Sequence, residues 1–304
     1  MSKAKNDGQK TIWRQIIDSR QSYFLMLPFL ALCFLFVVLP ILLSFVLSFA
    51  DYNMLQSPNW VGFENYIRMI LDDKIMTVAI KNTLVFALIT GPVSYFLCLL
   101  LAWMINDLTP LFKNFFTVIF YAPSMCASIY VVWAFLFSSD SYGFVNGLLM
   151  NWGLINEPVK WLVDPKYIIW ILMIVQLWMS LGTGFLAFIA GLQGVDTGLY
   201  EAGMIDGISN RFQELWYITL PSMVPQLVFG AVMQIVGAFG VGQISIALAG
   251  FPSTNYAAET VITHIVDYGT IRYEMGYASA VATALFAVMF LSQKLSVKLL
   301  SKVG

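Results

Sequence analysis

Residues 201–221 read EAGMIDGISNRFQELWYITLP, the most polar run in the second half of the chain, and they lie between two long apolar stretches. A polar segment in that position is a loop with structure of its own. Asp196 is suited to cap a short helix, Gly207 to end it and Ser209 to open a second one. Pro221 suits the first turn of the next apolar run, where its missing N–H costs nothing. Gly198, Ala202 and Gly203 recur at helical spacing and predict a face with almost no side-chain bulk, open to close approach by another surface. By themselves these features fit either a docking loop or an amphipathic hairpin lying on lipid headgroups.

The flanks decide the class. The chain has 304 residues, of which 59% are hydrophobic and 11% charged, with a mean hydropathy of +0.78, and that composition excludes an ordinary soluble domain. A charge at the bilayer centre costs at least about 2.5 kcal/mol, so charge-free windows mark the spans. Six occur, at 21–50, 82–106, 114–139, 167–195, 215–258 and 275–293. A span needs about 20 residues, and Gly250, Pro252, Ser253 and Asn255 break the second half of the longest window. The expectation is an all-α membrane protein with six transmembrane helices near 23–49, 82–106, 114–137, 167–191, 222–249 and 276–297. Residues 1–22 form a cytoplasmic N-terminal segment. Residues 23–304 form one transmembrane domain whose loop at 192–221 carries the polar motif.

Orientation follows from Lys and Arg. With the N-terminus in the cytoplasm, ten basic residues fall inside, among them Lys3, Lys5, Lys10, Arg14, Lys113, Arg211 and Lys302, against six outside. Six spans then keep both termini cytoplasmic and put 192–221 on the same side. The first apolar stretch is too long for the core of a signal peptide and reads as a retained helix that Pro28 and Pro40 bend or unwind.

No bond chemistry is visible. The chain lacks a phosphate-cradling G-x-x-x-x-G-K-[ST] sequence, H-E-x-x-H and G-x-S-x-G, and no carboxylate pair or His lies within a span to relay protons. Cys33, Cys98 and Cys126 fall in spans as small fillers, and His264, in the last outer loop, is structural or solvated. Trp60, Trp133, Trp152 and Trp161 read as interfacial belts. The small residues opening the last helix suit close helix packing. What remains at mid-depth is uncharged and polar: Gln176 with Trp178, Ser180 and Thr183 in the fourth helix, and Gln234 in the fifth. Amides and aromatic faces suit a sugar; interhelical hydrogen bonding is the alternative use of the same groups.

The motif E-A-G-M-I-D-G, with Phe212 and I-T-L-P at 218–221, resembles the EAA loop of ABC importer membrane subunits, departing from it at Gly203, where Ala is usual, and at Ile208, where a small residue is usual. N-W-V-G-F-E-N-Y at 59–66, K-N-T at 81–83, Y-A-P at 121–123, W-L-V-D-P at 161–165, G-L-Q at 191–193 and G-Y-A-S-A at 276–280 are similar to segments of the carbohydrate branch. The resemblance implies a type I ABC importer permease in a bacterial or archaeal plasma membrane, importing a sugar or oligosaccharide. It implies four kinds of partner: a second, homologous permease subunit, two ABC ATPase subunits, an extracellular solute-binding protein and the lipid bilayer. ATP and Mg would be used by the ATPase, with no cofactor on this chain and no nucleic-acid partner. Glu201, Ala202, Gly203, Asp206 and Gly207 would seat in the ATPase, while Gln176, Ser180, Thr183 and Gln234 would face the substrate. A permease for a glycerol phosphodiester or polyol, and an ATP-independent secondary transporter, are the alternatives.

Overall fold

The computed structural model describes residues 20–126 and 129–301; the expected cytoplasmic segment at 1–22, with four of its five basic residues, lies largely outside them. Helix α1 spans Arg20–Leu47 and changes to π geometry over Phe34–Val38. Pro40 has no N–H to return to the preceding turn, and the Leu39 N–H donates to Phe34 instead. At Pro28 the helix continues unbroken. Strands β1 (Ala50–Asp51) and β2 (Asn59–Trp60) pair antiparallel, followed by α2 (Glu64–Leu71), α3 (Lys74–Asn106), α4 (Pro110–Met125), α5 (Ile129–Leu136), α6 (Phe144–Asn151), α7 (Pro165–Met179) and α8 (Thr183–Gln193). The second half holds α9 (Thr197–Ile205), α10 (Arg211–Ser222), α11 (Val224–Phe239), α12 (Gln243–Ala249), α13 (Val261–Val266) and α14 (Met275–Leu300).

Among the described residues four stretches are long and apolar enough to cross a membrane: α1, α3, α7 with α8, and α14. The pairs α4 with α5 and α10 with α11 bring the number to six if each is one span. Three expected boundaries change. α3 starts at Lys74 rather than 82, because Asp73 caps it and its charged first turns project beyond the apolar window. The fourth span is interrupted at Ser180–Gly182, where Gly182 leaves helical geometry. The fifth ends at Phe239, and Gly240 and Gly242 separate it from the short α12.

The bundle centres on α3, α8 and α11, which pack on one another, with α14 against α11 and the end of α1. Close approach of α8 to α11 requires Gly230: a Cβ there would stand 2.3 Å from the ring of Phe188, which is fully buried. On another face, Gly276 lets α14 lie against the β1 carbonyl of Ala50.

At the end of the bundle where α3 begins, charged groups are buried. The Asp73 carboxylate accepts the Met76 N–H at 2.9 Å and the Tyr277 hydroxyl at 2.8 Å, and meets His264 Nε2 at 2.9 Å. His264 is 1% exposed, packed on Tyr268, and its Nδ1 faces Glu259 Oε1 at 3.9 Å. Arg68 lies over Tyr277, and Arg272 pairs with Asp267. Burial pulls the His264 imidazole below its ordinary value, against Asp73. Burial would raise Asp73, yet the Met76 N–H, Tyr277 and His264 hold it below the usual carboxylate range. Glu259 is pushed up to about 7 by burial, with Asp267 and Asp73 adding to the shift and the Thr263 hydrogen bond and Arg272 opposing it.

The sign for Glu259 is that of a group with a raised folded-state pKa: its contribution is fully present below the ordinary value of 4.5 and is lost as pH rises through about 7. Glu259→Gln, which mimics the protonated acid, is expected to melt higher than wild type at pH 8, by on the order of 5 °C. The gap is expected to start closing near 7 and to close as pH falls toward 4.5. Thermal unfolding in detergent across that range measures it; a gap independent of pH would remove Glu259 from the account.

Candidate functional site

The polar stretch folds into a helical hairpin, α9 and α10, at the opposite end of the bundle. α9 begins at Asp196, whose carboxylate accepts the Gly198 N–H at 2.9 Å. It ends at Gly207, held at φ +94°. There the Gly207 N–H donates to Met204 at 3.3 Å and the Ile208 N–H to Gly203 at 2.9 Å, closing the helix with two bonds that need a left-handed residue between them. The second helix is opened by Asn210 and not by Ser209: the Asn210 side chain accepts the Gln213 N–H at 2.9 Å, while Ser209 donates its own N–H to the Gln213 side chain. Pro221 stands at the end of α10, ahead of an 83° bend, and Pro225 occupies the first turn of α11.

The expected small face is divided. Gly198 and Ala202 are exposed, but Gly203 is buried inside the hairpin. A Cβ on Gly203 would stand 2.6 Å from Ile218 Cδ1 and 3.1 Å from Ile208 Cδ1. The methyl missing at 203 leaves room for Ile218 first and for the bulk at 208 beside it. The Tyr200 and Thr219 hydroxyls, 2.9 Å apart, join the two helices. Glu201 and Asp206 are exposed, and among the described residues Glu201 makes no ion pair. Beside it Met204 and Ile205 are exposed, Ile205 by 87%. A bare acid among exposed apolar side chains is a surface for a complementary partner.

The mid-depth residues separate into two kinds. Gln234 is buried and fully used: its Oε1 accepts from the Ser94 hydroxyl at 2.9 Å, and its Nε2 donates to the Ser180 carbonyl and to Cys98 Sγ, both at 3.2 Å. Its amide thus joins α3, α11 and the break between α7 and α8. Gln176 is half-buried; its Nε2 donates to the Gly237 carbonyl at 3.2 Å, and among the described residues its carbonyl has no donor. Ser180 turns its hydroxyl back to Leu177 at 2.6 Å, and Thr183 is exposed on the first turn of α8.

One feature escaped the sequence. Trp133 and Trp161, expected as separate belt residues, belong to an aromatic ladder in which Trp178 meets Trp133, Trp133 stacks on Phe137, and Phe137 meets Trp161, with centroids 5.3, 5.8 and 6.1 Å apart. The i,i+4 spacing of Trp133 and Phe137 was the available signal. Trp178 is 37% exposed, two residues from Gln176.

The sequence profile of the binding-protein-dependent transport system inner membrane component family matches residues 106–302. The arabinooligosaccharides transport system permease protein of Bacillus subtilis (strain 168) is 28% identical over 98% of this chain and 93% of its own length. The lactose transport system permease protein of Rhizobium radiobacter is 31% identical over 69% of this chain and 70% of its own. Among solved structures, a bacterial ABC transporter that imports the acidic polysaccharide alginate shares the fold, with a TM-score of 0.74 and 24% identity over 96% of this chain and 99% of that one.

Two outcomes are expected. Gly203→Ala alone presses first on Ile218 and then on Ile208 and costs about 1–2 kcal/mol; adding Ile218→Val, which removes the Cδ1 methyl, relieves the larger part. Hydrogen exchange of the hairpin amides should speed up in the single variant and return toward wild type in the double, and equal exchange in both would remove the Gly203–Ile218 contact from the account. Gln234→Leu removes the buried amide that bonds the Ser94 hydroxyl, Cys98 and the Ser180 carbonyl, leaves Ser94 its bond to Gly91 and the Ser180 carbonyl its Gly182 N–H, and is expected to destabilise the protein by about 1 kcal/mol, read as a lower midpoint of thermal unfolding, whereas Gln176→Leu is expected to leave that midpoint within about 0.5 kcal/mol.

Proposed function

The chain belongs to the family of binding-protein-dependent transport system inner membrane components, and on that premise we propose that it forms half of the transmembrane pathway of an ATP-driven importer for a sugar or oligosaccharide. It is a multi-pass carbohydrate ABC permease, and the energy for transport comes from a partner chain. The observation that carries the coupling is the α9–α10 hairpin: an element closed on itself by Gly203, Ile208 and Ile218 that presents an exposed Glu201, without an ion pair among the described residues, beside exposed Met204 and Ile205.

In this reading both termini and the hairpin are cytoplasmic, as the Lys and Arg distribution favours. The hairpin seats in one of two ATPase subunits, with Glu201 paired to a basic side chain there while Asp206 and Gly207 hold the turn. ATP and Mg are bound and spent by the ATPase pair, and this chain holds no cofactor. A second, homologous permease subunit supplies the other wall of the pathway. An extracellular binding protein delivers the sugar; the alginate transporter has been solved with its alginate pentasaccharide-bound periplasmic protein.

Gln176 and Trp178 carry the substrate side of the proposal. A neutral amide with an open carbonyl and an exposed indole offer a sugar hydroxyl an acceptor and a sugar C–H face a stacking surface. Thr183 and Ser180 flank them at the helix break, and Gln234 supports the break from behind. Within the expected spans the one Arg or Lys is Lys294, near the end of the sixth, so a glycerol phosphodiester would find no counter-charge at mid-depth in this chain.

The experiment is reconstitution with the candidate ATPase, second permease and binding protein. Glu201→Lys and Gly207→Trp are expected to lower ATPase co-purification and sugar-stimulated ATP hydrolysis by about tenfold or more, the effect of reversing one partner of a desolvated charge pair and of forcing a side chain into a left-handed position. Gln176→Ala is expected to keep the ATPase bound and to lower sugar uptake. Wild-type stimulation in both hairpin variants would remove the coupling role, and uptake by this chain without an ATPase would make it a secondary transporter.

A further inference from the structure

The hairpin is joined to the bundle by chain connections that are poorly suited to carrying force. On the α9 side the link is Val195–Asp196, between the cap of α8 at Gly194 and the start of α9, and on the α10 side it is the 83° bend at Met223. Joints of this kind absorb motion. A third connection runs through side chains. Arg211, the first residue of α10, pairs with Asp107, the C-cap of α3. Phe212, next in sequence, lies on Trp103 in the last turn of α3 with ring centroids 5.4 Å apart. Lys113 of α4 donates to Asn106 at 3.1 Å, tying the start of α4 to the same corner. Behind this corner is a cavity of about 410 Å³ lined by Asn106, Asp107, Lys113, Tyr200, Arg211 and Thr219, so the Arg211–Asp107 and Phe212–Trp103 contacts bridge an otherwise unfilled gap.

We infer that Asp107 and Trp103 are positioning residues for energy coupling: they latch α10 to α3, so that the hairpin and α3 move as one piece. An exposed ion pair adds little to stability, so the worth of this one is geometric, and the indole contact fixes the angle at which the pair meets. α3 is an uninterrupted helix of 33 residues, about 50 Å long, whose other end is clamped through Asp73 to His264 of α13 and Tyr277 of α14. A displacement delivered to the latch therefore reaches the far end of the bundle along one rod, past the Ser94 and Cys98 contacts with Gln234. This inference rests on the importer reading above, in which the ATPase moves the hairpin.

The test measures sugars transported per ATP hydrolysed in the reconstituted complex. Asp107→Arg and Arg211→Asp are each expected to lower that ratio by roughly two- to thirtyfold, the range typical of lost coupling between sites, and the charge-exchanged double variant to restore it. Trp103→Leu, which keeps apolar bulk and loses the ring, covers the case in which a charge reversal blocks assembly and is expected to lower the ratio in the same direction. Spin labels on α3 and on α10 should give one narrow distance in wild type and a broadened one in the single variants, with or without ATP. A wild-type ratio in the single variants, or a double variant no better than either, overturns the latch. The importer reading fails differently: there the wild type neither binds an ATPase nor responds to Glu201→Lys, whatever the latch variants do.

Discussion

The structure depends on one amide. A helix that breaks in the middle of an apolar bundle exposes carbonyls that no water reaches, and such groups are stable only if protein donors satisfy them. At Ser180–Gly182 the Ser180 carbonyl takes the Gly182 N–H at 2.8 Å and, across the bundle, the Gln234 Nε2 at 3.2 Å, while the Gln234 Oε1 takes the Ser94 hydroxyl. One side chain thereby ties the break to α3 and α11. Gly184 and Gly230 allow the approach: a Cβ on Gly184 would crowd the same amide at 3.2 Å, and one on Gly230 would enter the Phe188 ring. The break is an interruption that the surrounding helices hold in place, and the polar residues beside it inherit fixed positions.

Much of this was legible. Charge-free windows located the apolar spans because a buried charge is costly enough to leave a mark in composition. The caps at Asp196 and Gly207 were legible because each depends on one side chain and its immediate neighbours. Less visible were features that depend on pairs far apart in sequence. Nothing local distinguishes Gln234, which is spent on its neighbours, from Gln176, which is not. Gly203 and Ile208 were readable as two departures from a pattern, but only the packing in space shows that Ile218, with Ile208 beside it, fills the room a methyl at 203 would take. Ser209 against Asn210 is a one-residue error of the usual kind, since both types cap equally well.

The short family-like segments acquire physical meaning at the end of the bundle away from the hairpin. Asn65 donates to the Ser48 and Ala50 carbonyls, and Asn82 to those of Ala257 and Glu259, while Thr83 accepts the Val261 N–H. Gly276 admits the β1 backbone and Tyr277 reaches Asp73. These residues pair the main chain of irregular loops where the helices stop. His264, the chain's lone histidine, belongs to this set: held between Asp73 and Glu259, it helps bind α13 and α14 to the start of α3.

A pathway for a neutral, hydroxyl-rich solute sets opposing demands on the residues that line it. Groups that bind too well trap the solute, and groups that cannot hydrogen-bond reject it, so conduction favours several weak, uncharged contacts over one strong site. In the proposed importer the division between the two glutamines meets this demand. Gln234 is saturated by protein partners and keeps the wall from rearranging when solute leaves. Gln176 holds one bond to Gly237 and offers its carbonyl, and the ladder from Trp178 through Trp133 to Phe137 supplies flat apolar surface that is tolerant of which sugar face it meets. Fine discrimination then falls to the protein that delivers the solute, and the permease wall needs only to be polar enough to admit it and rigid enough to respond when the hairpin moves.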